Sequence, residues 1–275
     1  MKSRAKRLRQ EGAALSLNIV VCVKQVPDTA VERSLKEGAG TLDRASVDGL
    51  INELDEYAIE EGLKIAEAHG GEVTILSVGP EKAAESIRKA LSMGADRAVH
   101  VQDEAIGGSD ALGTSLVLAE ALKATGFDLV ILGSESTDAR TGVVPAMLAE
   151  RLGVPQLTLA SRVEVDGTQV TVRRVSDDGV DTVTGPLPAV VSVVEKINEP
   201  RYPSFKGIMA AKKKPVQVLG LADLSVDASA VGLAGAASAV ADFAKRPPRA
   251  AGEIVADEGD GGGRAAAFLA GRKFI

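Results

Sequence analysis

Apolar positions along the chain follow two rhythms. Ile19–Val20–Val21–Cys22–Val23 is an unbroken, largely β-branched run, the pattern of a strand covered on both faces in a parallel sheet. Pro27 closes it, and Thr29 to Val47 is polar with Gly38 and Gly40, which predicts a long loop or a hairpin. From Asn52 the spacing turns helical: Leu54, Ala58, Gly62, Ile65 and Ala66 recur on one side, Asp and Glu occupy the other, and Gly70–Gly71 supplies the stop. Val73 to Val78, Arg97 to Val101 and Leu129 to Leu132 read as further strands, and Glu81 to Met93, Ser109 to Thr125 and Val143 to Leu152 as further helices. Strands alternating with helices of these lengths predict right-handed βαβ units and an α/β fold with a doubly wound, mostly parallel, Rossmann-like sheet.

After Pro155 the texture changes. Leu157 to Val165 and Gln169 to Val175 flank Asp166–Gly167, a hairpin signal, and Asp178–Gly179 marks a second turn. Ala189 to Val194 reads as a last buried strand, so an antiparallel part is added to the parallel half. Beyond it Pro203, Gly207, Lys212–Lys213–Lys214–Pro215, Pro247–Pro248 and the stretch Gly259 to Gly263 break the pattern, before a segment with helical character from Arg264 to Ile275. The expectation is an extended arm that does not bury its apolar residues alone and wraps a partner.

Composition narrows the function classes. With 45% apolar residues, 3% aromatics and no Trp, the core of this 275-residue chain must be Val, Leu, Ile and Ala, and stacking platforms for single-stranded nucleic acid are lacking. A net charge of −6 gives no broad attraction to nucleic acid or to anionic membranes. No apolar run reaches the roughly 18–20 residues that span a bilayer. The single cysteine, Cys22, cannot form an internal disulfide, which suits a cytoplasmic location. Met1 to Leu17 carries Lys2, Arg4, Lys6, Arg7 and Arg9 and then a short apolar patch. It makes a poor signal peptide and reads as a disordered extension or the product of an upstream start codon, with the fold beginning near Asn18.

The first candidate for chemistry is the loop after the fourth strand, Gly133–Ser134–Glu135–Ser136–Thr137–Asp138–Ala139–Arg140–Thr141–Gly142, which runs through Val143 and Val144 into a helix. Small residues let backbone N–H groups approach a phosphate at the carboxyl end of a strand, and a helix N-terminus favours the anion. An ordinary strand-to-helix loop explains the spacing equally well. Asn52–Glu53–Leu54–Asp55 opens a helix, and capping accounts for Asn52 more simply than contact with an adenine or ribose. Cys22 reads as buried and inert. His69 and His100 have no metal-ligand spacing, and no nucleophile–base set is evident, so no metal and no catalytic residue are expected. Tyr202, Phe205, Ile208 and Met209 cluster beside Pro200 and Pro203; they either fold back on the sheet or form an exposed docking loop. Lys212 to Lys214 reads as a solvated charge run.

Several of these segments, taken in order, resemble the beta subunits of electron transfer flavoproteins. They are Val23–Lys24–Gln25–Val26–Pro27–Asp28, Asn52–Glu53 with Ala58–Ile59–Glu60–Glu61, Ile87 to Asp96, Leu187 to Val191, Asn198–Glu199–Pro200–Arg201–Tyr202 and Ile208 to Lys214. The likeness covers nearly everything from Asn18 onward. It implies an adenine nucleotide alpha hydrolase-like variant of the Rossmann-like fold and a heterodimer with an alpha subunit that holds most of one FAD. It also implies a structural AMP in the beta subunit, contacted at Cys22, Asn52 to Asp55, Val78 and Gly133 to Val144, with Thr29 and Leu54 toward the flavin. The segment Tyr202 to Met209 then corresponds to a recognition loop that inserts an apolar side chain into partner dehydrogenases, such as acyl-CoA dehydrogenases. Phe205 stands at the anchor position, where many relatives carry Leu. The electrons pass on to an electron transfer flavoprotein–quinone oxidoreductase.

The implied organisation is an extension over 1–17, a nucleotide-binding α/β domain over 18–200, and the recognition loop and arm over 201–275. Two other readings stay open at this stage. One is a bifurcating relative with a second FAD in place of AMP. The other is a stand-alone adenine-nucleotide-binding protein of the universal stress type.

Overall fold

A computed structural model describes residues 16–249, 251–252 and 254–275. The expectation for the extension therefore lies outside the described residues except at Ser16 and Leu17, and Leu17 is fully buried as the first residue of a strand. The strands are β1 (Leu17–Cys22), β2 (Gln25–Pro27), β3 (Gly49–Ile51), β4 (Gly71–Val78), β5 (Arg97–Val101), β6 (Leu129–Gly133), β7 (Gln156–Asp166), β8 (Gln169–Ser176), β9 (Gly179–Pro186), β10 (Ala189–Val193) and β11 (Val216–Leu219). The helices are α1 (Glu53–His69), α2 (Ala84–Met93), α3 (Ala111–Thr125), α4 (Val144–Leu152), α5 (Phe205–Ala211), the short α6 (Gly232–Gly235) and α7 (Gly261–Gly271).

Nine strands form one sheet in the order β11-β5-β4-β1-β6-β10-β7-β8-β9. Neighbours from β11 to β7 are parallel, and β8 and β9 extend the sheet as antiparallel strands. The two hairpin turns fall at Asp166–Gly167 and Asp178–Gly179, as their sequences predict. The chain leaves β1 in both directions, with β4 and β5 on one side and β6 and β10 on the other. That reversal is a topological switch point, where parallel sheets open a crevice at the carboxyl ends of their strands.

Alternation along β1 divides the core. Ile19 and Val21 pack with Ala58, Ile59 and Leu63 of α1 and Ile87 and Leu91 of α2, whereas Val20 and Cys22 pack with Val117, Leu118 and Leu122 of α3 and Leu148 of α4. Both faces are thus covered by helices, and each such Ile, Val or Leu contributes about 1.5–3 kcal/mol of hydrophobic stabilisation. Pro27 does not end β1. The strand stops at Cys22, and Pro27 lies in the small antiparallel pair β2–β3, which carries the polar excursion 28–48 out and back. A bridge between Leu35 and Leu42 pins that excursion as a hairpin.

The segment after residue 200 departs from the expected arm. α5 packs on α2, β11 pairs with β5 as a parallel edge strand, and Ala211, Leu221, Leu224, Val226 and Val231 are buried. The first compact unit runs on to Val240, and Ala241–Ile275 forms a second. Proline and lysine punctuation conceals β11, whose four residues gain their place from pairing with a strand more than a hundred positions earlier. In the second unit α7 covers most of the predicted C-terminal helix. Ile254, Phe268, Phe274 and Ile275 are exposed there.

Candidate functional site

The switch point sets the carboxyl ends of β1, β4 and β6 side by side, and the expected site residues gather there. α1 begins at this end, and its first turn ties the strand ends together. Asp55 accepts the backbone N–H of Lys24 (2.8 Å), just past β1, and that of Gly133 (3.2 Å), the last residue of β6. Asn52 occupies the N-cap position but makes no side-chain cap bond. Its amide is instead spent across the crevice: Nδ2 donates to the Glu135 carbonyl (3.0 Å) and Oδ1 accepts from the Thr137 N–H (3.0 Å). The sequence favours capping for Asn52, and the structure assigns it to holding the loop.

Gly133 is where strand and helix meet most closely. A Cβ there would lie 2.7 Å from Asp55 Oδ1 and 2.9 Å from the Leu54 carbonyl carbon. Beyond it Ser134 donates its N–H to Val193 (2.9 Å) and Arg140 donates to the Ser136 carbonyl (2.9 Å), with Arg140 at a φ of 49° in the left-handed region. Glu135 and Ser136 are half-buried, Thr137 is buried, and Ala139, Thr141, Gly142 and Val143 are exposed at the rim. Glu53 is exposed, and Leu54, Val78 and Val144 are half-buried.

Two cations missed by sequence reasoning stand at this loop. Lys24 Nζ bonds Ser136 Oγ (3.1 Å) and Asp138 Oδ1 (2.8 Å), and the Arg44 guanidinium reaches Asp138 Oδ2 (2.5 Å). Burial pushes the Asp138 carboxyl up, but Lys24, Ser136 and Arg44 overcome it and hold the group well below the carboxylate range. Lys24 and Arg44 are far from Asp138 in sequence, so no spacing rule marks them. Burial raises the Asp55 carboxyl to about 7 against the N–H groups of Lys24 and Gly133 and the Asn52 side chain. Burial, helped by Asp55, also raises the Cys22 thiol far above its usual range, so Cys22 stays protonated and inert. His100 is buried with its ring nitrogen 3.0 Å from the Gly79 carbonyl. Among the described residues no group of His, Cys, Asp or Glu is arranged to hold a metal ion.

Two features leave polar capacity open at this end of the sheet. Thr137 Oγ1 is buried and has no hydrogen-bond partner among the described residues, and Ser77 Oγ on β4 is in the same condition. Such groups are costly unless a ligand or water meets them. α4 starts at Val144 without a side-chain cap; Pro145 has no N–H and the Met147 N–H is bonded to the Val143 carbonyl (3.0 Å), so the open donors of the first turn are those of Val144 and Ala146.

The second candidate cluster lies on another part of the surface. Ser204 caps α5 through Gly207 N–H (3.0 Å), and α5 with its run-in presents Tyr202 94% exposed, Phe205 80%, Met209 49% and Ile208 46%. The residues are exposed rather than folded back, and from Phe205 onward they ride on a helix rather than a loop. Lys214 is not a solvated charge: Nζ donates to the Leu91 (2.9 Å) and Gly94 (3.1 Å) carbonyls and so caps the end of α2.

A mostly parallel sheet with helices on both faces, and a loop of small residues at its switch point, define the chain as a Rossmann-like α/β protein. Comparison with known proteins makes the assignment particular. The family model described as the electron transfer flavoprotein domain matches residues 39–224. The chain is 53% identical over 264 residues to the electron transfer flavoprotein subunit beta of Mycobacterium leprae (strain TN), covering 94% of this chain and 99% of that protein. The likeness to the subunit beta of Mycobacterium tuberculosis (strain ATCC 25618 / H37Rv) is 52% over the same shares of each chain. To that of Clostridium acetobutylicum it is 38% over 239 residues, 87% of this chain and 92% of that protein. The chain belongs to the electron transfer flavoprotein beta-subunit family.

Proposed function

We propose that the chain is the beta subunit of a heterodimeric electron carrier whose FAD lies mainly in an alpha subunit. The carrier takes electrons from flavin dehydrogenases, such as the acyl-CoA dehydrogenases of fatty acid oxidation, and delivers them to an electron transfer flavoprotein–quinone oxidoreductase. One observation carries this reading: the likeness to beta subunits is co-linear over 94% of the chain and reaches 53% identity. Bound FAD supplies the redox chemistry. The chain's own residues hold and dock, and none is assigned a catalytic role.

An AMP in the switch-point crevice is a structural ligand in this proposal. Thr137 and the start of α4 receive it, while Asn52 and Asp55 keep the loop in place and Lys24 and Arg44 balance Asp138. Tyr202 and Phe205 supply the apolar contact with the dehydrogenase, because a large exposed ring is the usual anchor of a docking site. Exposed Phe268, Phe274 and Ile275 in the second unit support an arm that lies against the alpha subunit.

The test is co-expression with the alpha subunit and kinetics of reduction by an acyl-CoA dehydrogenase. Phe205→Ala raises the KM for the carrier about tenfold or more, with flavin content unchanged. An unchanged KM contradicts the docking assignment, and failure to form any heterodimer contradicts the reading as a whole.

A further inference from the structure

The docking residues reach the surface through a segment that has little structure of its own. Residues 199–204 carry no regular secondary structure, and Pro200 and Pro203 lack a backbone donor. Each proline also restricts the residue before it to extended conformations, so Glu199 and Tyr202 cannot be folded into a helix. α5 itself is seated independently: a Cβ on Gly207 would stand 2.5 Å from the Ser92 carbonyl oxygen, Ala211 is buried, and Lys214 is bonded to the end of α2. What remains to be fixed is the run-in, Asn198 to Ser204, with Tyr202 at its outermost point.

That run-in is fastened to α1 by one arginine and one asparagine. Arg201 grips two carboxylates two helical turns apart. Nε and Nη2 donate to Glu60 (2.7 and 3.1 Å), and Nη1 and Nη2 donate to Glu67 (2.6 and 3.2 Å). Its backbone N–H adds a bond to Glu60 (3.2 Å). Asn198 Nδ2 donates to the Tyr57 carbonyl and to Glu61 Oε2, both at 3.0 Å. Glu60 and Glu61 are buried, so each needs its partner. A guanidinium is the one side chain whose planar fork meets two carboxylates in this way; a lysine ammonium is a point charge that holds direction poorly.

We propose that Arg201 is the positioning residue of the docking face. It acts through Tyr202 and the approach to Phe205, fixing their direction on α1 before a dehydrogenase arrives. A docking segment held in its bound geometry avoids the ordering cost on association, and that saving appears in affinity rather than in electron transfer once docked. The same helix that carries Asn52 and Asp55 at its start thus carries the docking clamp on its later turns. This inference rests on the docking assignment above.

The experiment uses the flavin-loaded heterodimer and the dehydrogenase that reduces it. Arg201→Gln is expected to raise the KM for the carrier by about three- to tenfold at unchanged kcat, and Arg201→Lys by less, since charge without the fork restores part of the clamp. Combined with Phe205→Ala, Arg201→Gln adds less than it does alone, because both act on one surface. A purely stabilising arginine would lower the unfolding temperature and leave KM and the double-mutant cycle flat, and that result overturns the proposal. If Phe205→Ala raises KM while Arg201→Gln does not, the clamp is refuted and the docking assignment stands; if neither moves it, the docking assignment itself fails. Should Arg201→Gln not assemble, Glu67→Gln decides on the exposed half of the clamp: a KM raised about twofold supports the proposal, and an unchanged one overturns it.

Discussion

Asp55 does two things that oppose each other. It bonds the N–H groups after β1 and at the end of β6, and it does so from a site where burial raises its carboxyl from 3.8 to about 7. A carboxyl whose folded value is raised contributes stability that is fully present below the unfolded value and lost as pH rises through the folded one. The window therefore runs from about pH 4 to about pH 7. The stability of the unaltered protein relative to Asp55→Asn is expected to fall by about 2 to 4 kcal/mol across it, read from urea midpoints at a series of pH values. A difference that stays flat from pH 4 to pH 8 contradicts the burial account. This behaviour was only partly legible in the sequence. Asp55 lies where a helix start was expected, but one of its two backbone partners, Gly133, is 78 positions later. The Asn52 amide was misread for the same reason: a local cap is visible in the sequence, while bonds to Glu135 and Thr137 are not. Arg44 leaves no local trace, and Lys24 shows only within the run Val23 to Asp28, with nothing to mark it as a partner of Asp138.

Among the elements, the strand end of β6 against the start of α1 is the tightest junction in the site. Gly133→Ala places a Cβ within 2.9 Å of the Leu54 backbone, which neither element can yield without moving. The substitution is expected to destabilise the fold by about 1–3 kcal/mol and to reduce the nucleotide recovered from the purified protein. Unaltered stability together with full nucleotide retention contradicts the close-approach argument. Elements such as this one were readable wherever their apolar period was strong. β1, β4, β5, β6, α1 and α3 lie within a residue or two of expectation, α2 begins three residues late because Glu81–Ala83 forms a 3₁₀ turn, and the paired turns at Asp166–Gly167 and Asp178–Gly179 identify the antiparallel extension. α5 and β11 escaped notice because their signals are short and broken by Pro203, Gly207 and Pro215. Their stability comes from contacts with α2 and β5 rather than from pattern.

At the scale of the molecule, the chain combines a compact unit built on a nine-stranded sheet with a second unit from Ala241 whose described apolar residues are exposed. In the first unit one helix, α1, reaches both the loop at the switch point, through Asn52 and Asp55 at its start, and the proposed docking face, through Glu60 and Glu67. This division suits a carrier, which needs a fixed geometry around a bound cofactor and a surface that visiting proteins share. The most direct measurement is the identity and stoichiometry of nucleotides released from the co-purified heterodimer, determined by mass. The account predicts one AMP and one FAD per heterodimer, with less AMP recovered from Gly133→Ala. A heterodimer that releases no adenylate beside its flavin, or that releases two FAD, contradicts it.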